Sequence, residues 1–173
     1  MQYREIKPGK KLFKKVYLWI LLWFVGRAIQ AAAKVDHDVR HEFAKLPEGF
    51  TASLGILPDG PWMIVGKDHT GKVQYLGRNP EGKQIDLSVQ IKSLEAAFLL
   101  FTFQESTCIA QTRNRMIVAG DLCMACAFVR ILNIVETYLL PKILTKLAVK
   151  RYQSPPSKHR NRVRIYLRTI LGY

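Results

Sequence analysis

Two of the three cysteines, Cys123 and Cys126, form a C-x-x-C in the apolar segment VAGDLCMACAFVRIL, residues 118–132. This spacing is typical of metal sites and of thiol–disulfide sites. A zinc site needs two further ligands, and neither Cys108 nor the histidines lie at a matching spacing. A redox site needs an activated, accessible thiol, whereas Cys123 is set among Leu, Met, Ala and Phe. We therefore expect both cysteines to be small apolar residues in the wall of a cavity.

His37 and His41 form the second candidate site, because their i, i+4 spacing in HDVRH places them on one helix face. Zinc peptidases of the H-E-x-x-H type have a glutamate where this chain has Asp38, and no third ligand follows. His69 and His159 have no evident partner in the sequence, and no nucleophile elbow, P-loop or dinucleotide fingerprint occurs. The sequence thus predicts no catalytic residue, no metal site and no cofactor, and a protein that is not an enzyme.

The excess positive charge lies at the two ends of the chain, which has 173 residues and a formal net charge of +14. Residues 1–15 hold six Lys or Arg and one Glu, and residues 142–173 hold nine Lys or Arg and no acidic residue. Residues 16–141 hold twelve basic and twelve acidic residues, so their net charge is zero. Nucleic-acid-binding domains spread basic residues over the folded face, so we predict no nucleic-acid partner, with binding by the arginine tail left as an alternative. Basic ends on a neutral body favour an anionic membrane surface.

An apolar segment follows the basic start of the chain. The unbroken run 16–26 has eleven residues, fewer than the about 20 that a membrane span needs, and an extension to residue 33 encloses Arg27 and Gln30. Four alternatives stay open: a helix in the membrane interface, a single span, a cleaved signal ending in AIQAAA, and a helix docked on its own domain. The first is preferred, because tryptophans favour the headgroup level and lysines favour anionic lipid. It predicts membrane contacts by Lys14, Lys15, Trp19 and Trp23.

The C-terminal segment SPPSKHRNRVRIYLRTILGY predicts a short basic amphipathic helix after a Ser-Pro-Pro break. Its apolar stripe consists of Val163, Tyr166, Leu167, Ile170 and Leu171. Its predicted membrane-contacting residues are Arg160, Arg164 and Arg168. Such a helix is typical of a membrane surface element, and the alternative is a terminal helix that packs on the domain with solvated arginines.

The middle of the chain predicts an α+β domain with a single antiparallel or mixed five-stranded sheet covered by helices. Asp-Gly, Thr-Gly and Glu-Gly turns separate the first four strands, which indicates an antiparallel meander. The predicted strands are 50–57, 62–68, 73–77, 84–91 and 115–120. The predicted helices are 34–46, 93–104, a short one within 105–114, and a long one from Asp121 to about Tyr152 with a break at Pro141.

Three segments of this region resemble the sterol carrier protein 2 family of lipid-binding domains, over roughly residues 35–140. They are the hairpin GPWMIVGKDHTGKVQYLG, the strand and helix IDLSVQIKSLEAAFLL, and the strand, Gly-Asp turn and helix TRNRMIVAGDLCMACAFVRIL. The resemblance implies an apolar cavity between the sheet and the later helices that holds a lipid tail. The chain departs from the compact family form at both basic, apolar ends, which puts free diffusion as a soluble shuttle in doubt.

The residues themselves also favour a cavity, because the helix EAAFLLFTF is apolar nearly all round and the next long helix mixes small and large apolar side chains. An ordinary filled core is the alternative. The predicted lipid-binding residues are Phe98, Leu99, Phe101, Phe103, Ile109, Met124, Phe128, Leu132 and Val135.

The sequence therefore predicts three parts: a membrane-associating helix (1–33), a lipid-binding domain (34–152) and a basic amphipathic tail (153–173). The predicted function is non-enzymatic binding and transfer or presentation of a sterol-like, isoprenoid or acyl lipid at an anionic membrane. The expected location is the cytoplasmic face of a membrane, since three cysteines suggest reduced thiols. The alternative function is a membrane-tethered scaffold with a filled core that organises partner proteins.

Overall fold

The structure, a computed structural model, describes residues 11–102, 104–139 and 158–171, with side chains of the last segment described for 162–169. Several predictions lie outside these residues. They are the basic stretch 1–10, Phe103, the side chains of Arg160, Ile170 and Leu171, and the long helix beyond residue 139 with its break at Pro141.

Five strands form one mixed sheet in the order β3-β2-β1-β4-β5. Their bounds are β1 Thr51–Ile56, β2 Trp62–Lys67, β3 Val73–Gly77, β4 Leu87–Ile91 and β5 Met116–Ala119. The predicted meander is correct for β1 to β3, which pair antiparallel, but β4 returns to the other side of β1 and pairs with it in parallel. The predicted α+β fold class with a mixed five-stranded sheet is thus confirmed.

One face of the sheet carries the core. Leu54 of β1 lies opposite Met63 of β2 and Val89 of β4, and all three are buried. Alternation along β4 buries Leu87 and Ile91 beside them, because successive side chains of a strand point to opposite faces. β4 begins at Leu87, later than predicted, and the carboxylate of the preceding Asp86 accepts the backbone N–H of Thr51 at 2.8 Å.

Six helices are described around this sheet. They are α1 Leu12–Val35, α2 His37–Ala44, α3 Leu94–Phe101, α4 Thr107–Thr112, α5 Leu122–Leu139 and α6 Lys158–Leu171. Serine and aspartate caps begin several of them: Ser93 Oγ accepts the N–H of Ala96 at α3, and Ser106 Oγ accepts that of Ile109 at α4.

Helix α1 packs closely on β2 and β3 through Gly26. A Cβ at this position would lie 2.6 Å from the ring of Tyr75 and 2.9 Å from Met63, so a larger residue would push the helix off the sheet. One turn later, Gln30 Oε1 accepts the backbone N–H of Tyr75 at 2.9 Å. The polar residue that interrupts the apolar segment in the sequence therefore serves the contact between helix and sheet.

Asp36 joins three helices. Its backbone is extended, which ends α1, and its carboxylate accepts the N–H groups of Asp38 and Val39, which begins α2. The same buried carboxylate accepts the hydroxyl of Tyr138 in α5. A single side chain thus fixes the entry into α2 and the position of α5.

The predicted Gly-Asp turn connects β5 to α5. Gly120 has φ +131°, and a Cβ there would lie 2.4 Å from the carbonyl oxygen of Asp86, so only glycine fits. Asp121 then accepts the N–H groups of Cys123 and Met124 at 2.8 and 3.1 Å, as a helix N-cap does.

Two described helices, α1 and α5, are long and apolar enough to cross a membrane, a property that core helices of soluble proteins share. Leu18, Leu22 and Ile29 of α1 and Ile165 of α6 are completely buried in the same core cluster as the sheet. The division of the chain at residues 33 and 153 stays a prediction, and the core extends across both boundaries.

Candidate functional site

A pocket of about 130 Å³ lies between the sheet and α3, α4 and α5. Its apolar lining comes from β1, β4, β5, α3 and α5: Leu54, Val89, Met116, Leu100, Phe101, Phe128, Val129 and Leu132. Its polar lining consists of Glu105, Ser106, Thr107, Asn133 and Glu136. Ser106, Thr107, Val129 and Asn133 are exposed, which places the mouth between the start of α4 and the middle of α5.

Three of the nine predicted lipid-binding residues line this pocket: Phe101, Phe128 and Leu132. The other described ones lie elsewhere. Phe98 packs edge-on against Tyr17 of α1 at 5.7 Å between ring centroids, and Val135 is buried in the core. The remaining positions are Ile109, which is 45% exposed, and the partly buried Leu99 and Met124. Contact of these nine residues with a lipid stays a prediction.

The strand residues of the pocket and its polar groups were missed by the sequence analysis. The alternation of β4 predicts that Val89 faces the core, but the parallel pairing that brings Leu54 beside it is not local in sequence. Glu136 could have been found from helical spacing, because Phe128, Leu132 and Glu136 follow one another at i, i+4 and i+8.

The two carboxylates of the pocket have different surroundings. Glu105 is buried and pairs with two guanidinium groups, those of Arg113 at 3.4 Å and of Arg115 at a shorter distance. Glu136 is partly buried and has no hydrogen-bond or ion-pair partner among the described residues. Burial raises the pKa of Glu136 from its usual 4.5 to about 7.

The cysteines do not line this pocket, so the expectation that both form the wall of the apolar cavity is wrong; Cys123 instead lines a separate surface pocket beside Lys45 and Pro47. Cys123 and Cys126 are exposed free thiols on the outside of α5, as is Cys108 on α4. Their small size does not bury them, because the core side of α5 is filled by Ala127, Phe128 and Ile131. No cluster of three metal-ligating side chains occurs within the described part of the chain.

The predicted membrane-contacting residues of α1 fall on its N-terminal half. Lys15 is exposed, and Trp19 is 44% exposed with the guanidinium of Arg78 4.1 Å from its ring centroid. Lys14 pairs instead with Glu95 at the start of α3, and Trp23 is half-buried beneath Arg27. Large apolar side chains are exposed on the same half: Leu12, Phe13, Val16 and Ile20.

Helix α6 packs against α1 and also keeps an exposed apolar side. Ile165 and Thr169 are completely buried, and the hydroxyl of Tyr166 donates to the carbonyl of Leu139 at 2.7 Å. Val163 and Leu167, one turn apart, are 60% and 54% exposed. Arg164 and Arg168 are exposed beside them. The helix therefore combines the two predicted alternatives, a docked side and a basic, apolar outer side.

No protein-family model matches the chain, and no curated protein matches it significantly. Solved structures of similar fold include a UbiJ-SCP2 ubiquinone synthesis protein, at 16% identity, 75% coverage of this chain, 100% of that chain and a TM-score of 0.43. Sterol carrier protein 2 from Yarrowia lipolytica, in its apo form, matches at 12% identity, 66% and 88% coverage and a TM-score of 0.46. Sterol carrier protein domain 2 of Helicoverpa armigera matches at 15% identity, with 88% coverage of this chain, 100% coverage of that chain and a TM-score of 0.42. The resemblance predicted from the sequence is thus found among solved structures.

Proposed function

We propose that this protein binds part of a lipid in the pocket between the sheet and α5, and exchanges or presents it at an anionic membrane. The observation that carries the proposal is the open, mainly apolar pocket at the interface of sheet and helices. Apolar side chains that line an open cavity lose contacts that a ligand can restore. The pocket involves no chemistry on the lipid.

The size of the pocket limits what enters it. Its volume of about 130 Å³ is close to that of an engineered apolar cavity of ~150 Å³ that binds benzene. It accepts one ring or a few methylene groups, and the rest of a sterol, isoprenoid or acyl chain extends through the mouth. Each buried methylene group contributes about 0.8 kcal/mol relative to water, which a membrane also provides. Exchange with a bilayer is therefore controlled by access.

Two variants of the full chain test the pocket. Leu132→Trp fills it from a partly exposed position, and Leu122→Trp adds the same ring at a 76% exposed position of the same helix. We expect Leu132→Trp to weaken displacement of a fluorescent lipid probe at least tenfold and Leu122→Trp to leave it unchanged. Native mass spectrometry of the wild type should show copurified lipid. An empty wild type that binds no probe would favour the scaffold function.

Docking on the membrane is supported by the exposed outer sides of α1 and α6. Both present large apolar side chains beside cations, and the two helices pack against each other. Basic side chains contribute about 1 kcal/mol each at an anionic surface, and apolar side chains enter the interface.

Charge reversal tests the membrane proposal better than deletion, because α1 supplies core residues. Lys15→Glu with Arg168→Glu should weaken binding to phosphatidylglycerol-containing vesicles more than tenfold. The matched control, Lys83→Glu with Lys92→Glu, changes the net charge equally at exposed positions outside both helices. Equal weakening by the two pairs would show a response to net charge alone and contradict docking through α1 and α6.

A further inference from the structure

The two edges of the sheet, β3 and β5, differ in what covers them. At the β3 edge, α1 packs on the strand through Gly26, and Gln30 Oε1 accepts the backbone N–H of Tyr75 at 2.9 Å. At the β5 edge, the consecutive residues 117–120 are all exposed. Because successive side chains of a strand point to opposite faces, β5 is open on both faces of the sheet.

The outer side of β5 presents unpaired backbone groups. Arg115, directly before the strand, accepts the backbone N–H of Lys92 at 2.9 Å, so its carbonyl points toward β4. Residues of an antiparallel strand alternate in the side to which their N–H and C=O groups point. Met116 and Val118 therefore point theirs to the outer side, where the described part of the chain provides no further strand.

β5 lacks the features that usually protect an edge strand from another chain, such as a charge, a proline or a bulge. Its sequence MIVA contains neither a charged residue nor a proline, and it pairs with β4 without a register shift. Ile117 and Val118 are each 40% exposed. An uncharged, open edge of this kind is a template for a further strand.

The charges at the two ends of β5 favour a second copy of this chain as the partner. Before the strand, the guanidinium groups of Arg113 and Arg115 share the single carboxylate of Glu105, at 3.4 Å from Arg113. The excess positive charge lies on Arg113, whose side chain is 59% exposed. After the strand, Asp121 is exposed. An antiparallel copy brings the basic end of each strand opposite the acidic end of the other, whereas a parallel copy brings like charges together.

The carboxylate of Asp121 is available for this contact. Its Oδ1 accepts two backbone N–H groups at the start of α5, which leaves Oδ2 for a cation. Lys45 and Arg130 line the same surface pocket as Asp121, but they form their ion pairs with Glu42.

We propose that β5 pairs antiparallel with β5 of a second copy of this chain and joins the two sheets into one. The outward backbone groups of Val118 place this residue opposite Val118 of the second copy, on the twofold axis. In this register Arg115 lies opposite Asp121 of the second copy. The strand is short, so the dimer forms reversibly and dissociates on dilution. The proposal is independent of the lipid pocket.

Sedimentation of the full-length protein over the micromolar range tests the dimer. Val118→Lys places two ammonium groups opposite each other and should weaken dimerisation at least tenfold. Leu76→Lys is the matched control, because Leu76 is 38% exposed on the β3 edge, and it should change the dissociation constant less than threefold. Asp121→Asn retains a helix N-cap but removes the charge, and it should weaken the dimer about fivefold.

Cross-linking tests the register. With the three exposed cysteines replaced by serine, Val118→Cys should give a disulfide-linked dimer under mild oxidation, because its two copies face each other. Leu76→Cys, with nearly the same exposure on the other edge, should remain unlinked. This measurement also decides the matter if Val118→Lys does not fold.

Three results would overturn the proposal. A wild type that stays monomeric throughout the micromolar range would exclude the second copy as the partner of β5. Equal weakening by Val118→Lys and Leu76→Lys, or equal cross-linking through both edges, would show association that does not involve β5 specifically. An unchanged dimer in Asp121→Asn would contradict the antiparallel register.

Discussion

The carboxylates on two sides of α5 differ in whether they have a hydrogen-bond or ion-pair partner. On the side toward α2, Glu42 accepts the Nε–H of Arg130 at 2.8 Å and also pairs with Lys45, while Asp36 accepts the hydroxyl of Tyr138. On the side toward the pocket, Glu136 has no partner among the described residues. The first side holds helices together through compensated charge. The second keeps a group that costs stability, which is typical of a binding site.

The largest effect is expected on the compensated side, for Asp36→Ala. This change removes the N-cap of α2 and leaves the buried hydroxyl of Tyr138 without its carboxylate. We expect a loss of about 2–4 kcal/mol in the free energy of unfolding, measured by urea denaturation. Asp38→Ala, which removes an exposed carboxylate from the same helix, should cost less than about 1 kcal/mol. Similar losses for both would mean that the buried contact does not position α5.

Glu136→Gln should instead raise the free energy of unfolding. The pKa of Glu136 in the folded protein, about 7, exceeds its usual value of 4.5, so its ionisation opposes folding. The wild type therefore becomes less stable as the pH rises from 4.5 through 7, whereas the variant does not. At pH 8 the variant should be more stable by about 3 kcal/mol, and at pH 4 the two should be equal.

Denaturation at several pH values measures this difference. The ion pairs of Glu105 with Arg113 and Arg115 are present in both proteins and contribute equally to the stability of both. A variant that is less stable than the wild type at pH 8 would show that Glu136 is compensated, and would remove the contrast between the two sides of α5.

The smallest change in the free energy of unfolding is expected for Glu42→Gln. Its direction follows from the pairing of Glu42 with Lys45 and Arg130. Burial alone would raise the pKa of Glu42, but hydrogen bonds from Lys45 and Arg130 lower it below 4.5. The wild type therefore holds this stability above pH 4.5 and loses it as the pH falls through the lowered pKa. We expect the variant to be less stable by about 1–2 kcal/mol at pH 7, with the difference vanishing in acid. A difference that persists unchanged in acid would contradict ion pairing as its cause.

Most elements of the fold were predictable because their determinants are local. Gly-containing turns separate the strands, Ser93 caps α3, and the Gly-Asp turn sets the start of α5. The parallel pairing of β1 with β4 was not predictable, since it joins residues about 35 positions apart with no local signal. For the same reason the sequence did not place Leu54 and Val89 in one pocket.

The candidate site was predicted less completely than the fold. Apolar helix residues were identified by type, and type alone does not distinguish Phe101, which lines the pocket, from Phe98, which packs on α1. The exposed cysteines show the same limit, because residue size says little about which side of a helix is covered. A search for apolar residues does not find Glu136. It is identified as a pocket residue only from its helical spacing, four residues after Leu132.

The close contact of Gly26 and Gln30 with Tyr75 has a practical consequence for protein engineering. An apolar N-terminal helix invites removal when a soluble form is wanted, but here the cut would strip β3 of a hydrogen-bond acceptor and uncover Met63. The better route is to replace the exposed Leu12, Phe13, Val16 and Ile20 with polar residues. Tyr17, Leu18 and the helix from Leu22 onward stay unchanged, because they pack on the domain. Only the exposed side of the N-terminal half of α1 can be changed freely, because Leu18 on its other side is buried in the core and the rest of the helix packs on β2 and β3.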